Sequence, residues 1–395
     1  MAHLPLAGLR VLDISQVMAG PFCCMLLGDM GADVIKIEPP KTGDSTRHSM
    51  GFRLKGGDSP GFLALNRNKR SISLNLKDEA ERDVLYALVK TADIVVENAR
   101  PGVSQRLGID YDTLSEINPR LVYASISGFG QTGPWALRPG FDLIAQAMSG
   151  ILSSNGFEGM EPAKNSIAVA DLGAGLFSVY GILSAIIGRE ATGKGQYIDA
   201  SLLEAALGLS IWETAELWGT GKAPQPIGSA NRMSAPYQAV QASDGWFVIG
   251  GANQGLWLKM IDVMGRSELQ QDPRWSDNAS RVQNRQELID AMAPTFKTRT
   301  KQEWIDALLA AGVPAAPILD YGEAVTSEQA EAREMVMMVE HPVEGEFRSL
   351  GFPVKMCGTP QEVRMPPPLL DEHGDAIRQE LVERGLLPKR TEAAE

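Results

Sequence analysis

The 395-residue chain contains only three cysteines, Cys23, Cys24 and Cys357, too few for a disulfide scaffold. Cys23 and Cys24 adjoin inside an apolar helical pattern, which predicts small buried side chains rather than a zinc or redox pair. Four histidines, His3, His48, His341 and His373, are scattered. No HExxH or CxxC spacing occurs, so no protein-bound metal is expected. Basic residues number 37 against 49 acidic ones, and the net charge of −12 argues against broad nucleic-acid binding. No run approaches the roughly 20 apolar residues of a membrane helix. The opening MAHLPLAGLRVLDIS lacks the basic and apolar regions of a signal peptide, so a cytoplasmic address is expected. Two nucleotide signatures are also missing. The first strand-to-helix turn reads SQVMAGP rather than GxGxxG, although Glu38 closes the second strand where a ribose-binding acid would sit. No GxxxxGK[ST] loop occurs.

What is present is an ordinary globular composition, 44% hydrophobic and 22% charged, on a chain long enough for two domains. LRVLDIS (9–15) reads as a buried strand, 20–32 as a helix and DVIKIE (33–38) as a second strand. Strands at 69–75, 93–97 and 120–128 alternate with a helix at 78–92, which Asp78 and Glu81 open at capping-box spacing. This predicts a doubly wound, Rossmann-like parallel α/β layer. Residues 141–149 and 172–190 read as helices, and 193–207 as turn, strand and helix. The Gly-, Pro- and Ser-rich stretch 219–236 reads as a linker. A hairpin with a DG turn (237–251) and helices at 253–265 and 284–311 predict a smaller α+β domain, with Thr300 and Glu303 at capping-box spacing. A hairpin at 337–356 and a terminal helix follow. The expected division is 1–218 for the large domain, 219–236 for the linker, 237–325 for the small domain and 326–395 for a return to the large one.

The loops QVMAGP (16–21), ENARPG (97–102) and SGFGQTGP (127–134) each follow an expected strand. In a parallel sheet those ends converge on one edge, where ligands bind. Arg47, Lys69, Arg70, Lys77, Arg100, Arg106 and Arg138 lie nearby in sequence and are candidates to grip a polyanion. Asp171 stands between an apolar run that reads as strand and a long apolar helix, followed by Gly173 and Gly175. Such a carboxylate serves as a helix N-cap, as a nucleophile toward an activated acyl carbon, or as both. The glycines are expected to clear space around it.

Seven segments in order carry a resemblance: LAGLRVLDISQVMAGPF, GADVIKIEPPKTGDSTR, NRNKRSISLNLK, DIVVENARPGVSQRLGI, NPRLVYASISGFGQTGP, GFDLIAQAMSG and VADLGAG. The chain resembles the class III CoA-transferases, the family of formyl-CoA:oxalate and carnitine CoA-transferases, from Leu6 to about Leu387. The resemblance implies an interlocked homodimer and transfer of CoA from an acyl-CoA thioester to a small carboxylic acid, with no tightly bound cofactor. It implies Asp171 as the nucleophile. It places Met18 and Ala19 near the thioester, Leu74, Asn75, Leu76 and Lys77 beside the adenine and its phosphate, and Asn98, Ala99, Arg100 and Arg106 along the rest of the CoA pocket. Gly250 and Gly251 fall in GGANQG, where some relatives carry a mobile glycine-rich loop. Met18 replaces a glutamine of the oxalate-using enzyme, which implies a different acceptor, and the GFGQTGP loop resembles that of relatives using dicarboxylates such as succinate, glutarate or malate. Pro39 stands where that enzyme has an arginine. Phe141 and Asp142 occupy a tyrosine-acid pair beside the site. Two alternatives remain: an α-methylacyl-CoA racemase of the same fold, which needs two acid-base groups at the α-carbon, and a non-catalytic CoA-binding protein.

Overall fold

The structure, a computed structural model, describes residues 4–49 and 51–388. Among them, six strands form one parallel sheet: β1 (Arg10–Asp13), β2 (Asp33–Glu38), β3 (Lys69–Ser73), β4 (Ile94–Glu97), β5 (Val122–Ser127) and β6 (Tyr197–Ser201). Their spatial order is β3-β2-β1-β4-β5-β6, so the sheet grows in opposite directions from β1. The loops after β1 and β4 part at that switch point, where open α/β sheets bind ligands. Alternation along the strands builds two cores. Val11, Val34, Ile94 and Val96 face α1 (Ala19–Asp29), whose Cys23 and Cys24 are buried there. Leu12, Ile35, Val95 and Tyr123 face the other side, with Leu85 and Leu88 of α2 (Glu79–Val89) and Ile377 and Leu381 of the terminal helix Gly374–Glu383. Glu380 of that helix pairs with Arg10 at 2.6 Å and Arg70 at 3.3 Å, which ties the end of the chain to β1 and β3.

Three further helices surround the switch-point edge: α3 (Asp142–Met148), α4 (Val169–Thr192) and α5 (Leu202–Leu209). The expected strand before Asp171 is absent; residues 165–168 are irregular and α4 begins at Val169. Helical continuity also overturns the reading of apolar runs. α4 is 24 residues long and apolar enough to cross a membrane, and it lays Ala170, Ala174, Ile182 and Ala185 into the core. Arg189 near its end is buried on Asp93 at 2.8 Å. The next helix, α6 (Ile211–Thr220), occupies the start of the expected linker.

The chain divides into two compact units. The first runs through Leu152, resumes over Asn165–Gly221 and again from Glu331. The second takes Ser153–Lys164 and Lys222–Ala330, so the short excursion 153–164 joins it, which the sequence pattern did not signal. Its antiparallel sheet is β7 (Tyr237–Ala242), β8 (Gly245–Gly250) and β9 (Ala315–Pro317), packed on Trp257, Phe296 and Trp304. Thr300 and Glu303 form the expected capping box. The hairpin β10 (Val336–His341) and β11 (Gly345–Leu350) follows.

A buried charge network braces the C-terminal ends of β1 and β2 and the start of β3. Lys36 meets Asp44 at 3.0 Å, Lys69 meets Asp13 at 2.8 Å, and Arg47 grips Glu38 and Asp58 at 2.8 and 2.7 Å. Burial alone would raise the carboxyls of Asp13, Glu38 and Asp44, but Lys36, Lys69 and Arg47 outweigh it and hold all three below the usual range. Acids depressed in the folded state stabilise it above their unfolded pKa of about 4, and that stability is lost as pH falls further. Urea titrations from pH 7 to pH 3 are therefore expected to show the unfolding midpoint dropping below about pH 4. Lys36→Met, which strands Asp44 without its partner, is expected to cost about 3–5 kcal/mol at pH 7 in the same measurement.

Candidate active site at the switch point

The loop after β1 is held from two sides. The ladder between β1 and β4 continues through Ile14, whose amide donates to the Val96 carbonyl at 2.9 Å. Beyond it, the Asn98 side chain takes over the pairing. Its Oδ1 accepts the Gln16 amide at 2.8 Å and its Nδ2 donates to the Gln16 carbonyl at 2.6 Å. The Val17 amide donates to Oδ1 of buried Asp44 at 3.2 Å. Val17 has φ of +70°, a left-handed conformation that costs a β-branched residue about 1–3 kcal/mol. α1 then starts with no side-chain cap. Among the described residues nothing accepts the amides of Met18, Ala19 or Gly20, and Pro21 has none. Three free donors thus lie at the positive end of an 11-residue helix.

Asp171 is the third residue of α4, whose N-cap is Ala168. It does not cap the helix, as the sequence allowed; Asp142 does so from α3. Oδ1 of Asp142 accepts the amides of Ala170 at 2.9 Å and Asp171 at 3.4 Å. Its other oxygen accepts Nε2 of buried Gln146 at 2.7 Å, and Oε1 of Gln146 accepts the Asn165 amide at 2.9 Å. With the helix donors taken, the half-buried Asp171 carboxylate has no hydrogen bond among the described residues. Burial first, and the Asp142 charge second, push its pKa up to about 6. A desolvated carboxylate without donors is a better nucleophile than one spent on a cap.

Close helix packing sets where that carboxylate lies. A Cβ on Gly175 would fall 2.8 Å from the Ala19 carbonyl oxygen, so α4 rests directly on the first turn of α1. Asp171 is one turn earlier on the same face. A Cβ on Gly173 would strike Leu209 of α5 at 2.8 Å. The two glycines therefore seat the helix rather than open space around the side chain. Gly128 and Gly140 cross so closely that a Cβ on the first would lie 2.8 Å from the other's Cα, which draws residues 140–142 over the end of β5.

The structure sorts the candidate cations. Arg47 and Lys69 are buried in the charge network, and Arg70 is paired with Asp33 at 2.6 Å, so none of the three grips a ligand. Lys77, Arg100 and Arg106 are exposed and carry no ion pair among the described residues. Arg138 is exposed over the Trp135 ring at 5.0 Å. Lys77 follows β3 and Arg100 follows β4, both on the sheet edge that carries the α1 donors. Leu74 belongs to the core, Asn75 accepts the Lys77 amide at 3.3 Å, and Leu76 is partly buried. Ala99 donates its amide to buried Glu97 at 2.7 Å. The side chain of Asn98 is spent on Gln16, so it shapes the loop instead of presenting a free amide. Phe141 is exposed and occupies the N-cap position before α3. In the second unit, Gly250 and Gly251 are buried, and their amides donate to Pro314 and Pro236 at 2.8 and 2.7 Å. Asn253 caps the helix that follows. That stretch is a hydrogen-bonded strand-to-helix turn. Asp44 and Gln146 escaped the sequence reading. Only the spacing of Asp142 and Gln146, four apart on one helix, could have hinted at their pairing.

Residues 6–374 match the model of CoA-transferase family III. The chain is 42% identical to an acetyl-CoA:oxalate CoA-transferase of Acetobacter aceti, over 95% of each chain. It is 36% identical to the succinyl-CoA:glutarate CoA-transferase of Mus musculus, over 96% of this chain and 86% of that one. The crystal structure of a CAIB/BAIF family protein from Brucella suis superposes with a TM-score of 0.84 at 37% identity, over 96% of this chain and 99% of the other. An uncapped α1, an unbonded carboxylate beside it and this match over nearly the whole length agree: the chain belongs to CoA-transferase family III and is an enzyme of that class.

Proposed function

We propose that the enzyme moves CoA from an acyl-CoA thioester to a small dicarboxylate by covalent catalysis at Asp171. The observation that carries this reading is the division of labour between two acids: Asp142 caps α4, and Asp171 is left unbonded on the face that meets α1. The Asp171 carboxylate attacks the thioester carbonyl and expels CoA thiolate, leaving a mixed anhydride. The thiolate attacks the aspartyl carbonyl, which gives an aspartyl-CoA thioester and releases the first acid. The acceptor carboxylate attacks that thioester and expels the thiolate again, and the thiolate then takes the new acyl group and restores Asp171. Thioester is exchanged for thioester, so the overall energy change is small. The amides of Met18 and Ala19 supply the oxyanion donors. Lys77, Arg100 and Arg106 are the cations for the CoA phosphates, because each is exposed and uncommitted. With Arg100 on the phosphates, Arg138 holds the distal carboxylate, a role from which its ion pairs remove Arg47. The named relatives use oxalate and glutarate, so both belong among the acids to test.

The first unit also leaves an apolar surface uncovered. α6 has no buried residue, and Trp212 and Trp218 on it are 63% and 79% exposed. Leu176, Phe177, Tyr180 and Ile187 continue the exposure along α4. Isolated helices of ten residues are marginal in water, and apolar surface on this scale marks an interface. A second copy of the chain, interlocked with the first, is the proposed cover.

Incubation with acetyl-CoA or succinyl-CoA and a panel of acids (oxalate, succinate, glutarate, malate) should yield the new acyl-CoA by mass spectrometry. Asp171→Ala should bind CoA and transfer none; transfer at the wild-type rate would remove the nucleophile. The kcat/KM profile should fall below a pKa of about 6, because protonated Asp171 cannot attack. A raised acid destabilises the fold once ionised, so wild-type stability falls between about pH 4 and 6, and Asp171→Asn should gain about 1 kcal/mol at pH 7 in urea unfolding. Sedimentation velocity should give a particle of twice the 42.6 kDa chain, and the double variant Trp212→Glu with Trp218→Glu should be monomeric or insoluble.

A further inference from the structure

We propose that the left-handed turn at Val17 is a positioning device for the transfer reaction, set by Asn98 on one side and Asp44 on the other. The inference rests on the CoA-transferase reading above. A valine at φ of +70° is disfavoured, and its side chain is 41% exposed, so side-chain packing does not impose the conformation. The backbone around it is held instead. Asn98 extends the β1–β4 pairing by one residue through both of its amide atoms. Asp44 takes the Val17 amide and is itself immobilised, since Lys36 lies 3.0 Å away, Thr46 donates through its amide at 2.9 Å and its hydroxyl at 2.8 Å, and the Asp44 amide donates to Glu38 at 2.9 Å.

The torsion at Val17 sets the direction of the chain immediately before the unbonded amides of Met18, Ala19 and Gly20. The far side of that turn is also fixed, because α1 is pressed against α4 at Gly175. Relaxing Val17 to an ordinary negative φ would swing the Met18 and Ala19 donors relative to Asp171. Asn98 and Asp44 are thus positioning residues: they touch no reacting atom and act through Val17 on the donors that meet the developing oxyanion. Strain retained at a site where surrounding groups over-determine it is the pattern expected of pre-organisation.

The test uses the full-length enzyme with acetyl-CoA and oxalate, or succinyl-CoA and glutarate, whichever the wild type turns over faster. Asn98→Leu should lower kcat by about 20-fold or more, while the dissociation constant of free CoA, by titration calorimetry, stays within about threefold. Adding Val17→Gly to that variant should restore kcat by about fivefold or more, because glycine takes positive φ without a hold. Position 17 supplies a second pair that does not depend on Asn98. Val17→Pro, locked near −65° and lacking the amide, should have a kcat about tenfold or more below that of Val17→Gly. Equal kcat for Val17→Pro and Val17→Gly, or no rescue of a folded Asn98→Leu, would overturn the proposal. CoA affinity lost tenfold with kcat intact would make Asn98 a ligand contact instead. A wild type that transfers CoA beside an inert Asp171→Ala supports the parent reading whatever position 17 does, so the two failures are separable.

Discussion

The arrangement depends on one exchange of roles between two aspartates. A helix start must satisfy its free amides, and a polar side chain at the N-cap is the usual local answer, which Ala168 cannot give. Here Asp142 reaches in from α3 and accepts the amides of Ala170 and Asp171. Asp171 is released from that duty and kept partly out of water beside a like charge. Both effects raise the energy of its ionised form, as the nucleophilic role proposed for it requires. Gln146 makes the exchange durable, because it holds the second oxygen of Asp142 and ties it to Asn165.

Around this pair the first unit spends polar interactions on rigidity. Charges buried at the ends of β1, β2 and β3 add little net stability by themselves, since desolvation offsets their attraction. Their geometry nevertheless leaves each partner one place to sit. Asp44 belongs to that network and also holds the Val17 amide, so the brace of the sheet edge and the loop before α1 are one connected structure. The glycine contacts work in the same direction: Gly175 lets α4 rest on α1, and the Gly128–Gly140 crossing brings Asp142 over the end of β5.

Membership in CoA-transferase family III fits this construction, because exchange of one thioester for another needs little driving force but demands exclusion of water and aligned donors. Lys77, Arg100 and Arg106, which carry no ion pair among the described residues, are the cations proposed for the phosphate groups. Arg47, Lys69 and Arg70 looked equivalent to them in the sequence and proved structural. A basic side chain can be read from a sequence, but its carboxylate partner, tens of residues away, cannot.

The sequence by itself determined the parallel α/β layer, since apolar strands alternating with amphipathic helices have few other ways to bury their faces. It also determined the hairpins with their DG and capping signals, and the aspartate at position 171 within its family motif. Those features are local, written in periods of two and of about 3.6 and in short ordered motifs. Tertiary structure alone decided that Asp142 would cap the helix, that Asn98 would serve the backbone of Gln16, that residues 153–164 would leave the first unit, and that Gly250 and Gly251 would be bonded and buried. Each of these depends on atoms brought together from distant positions, and hydrogen-bond partners are chosen by distance in space, which one-dimensional spacing does not encode.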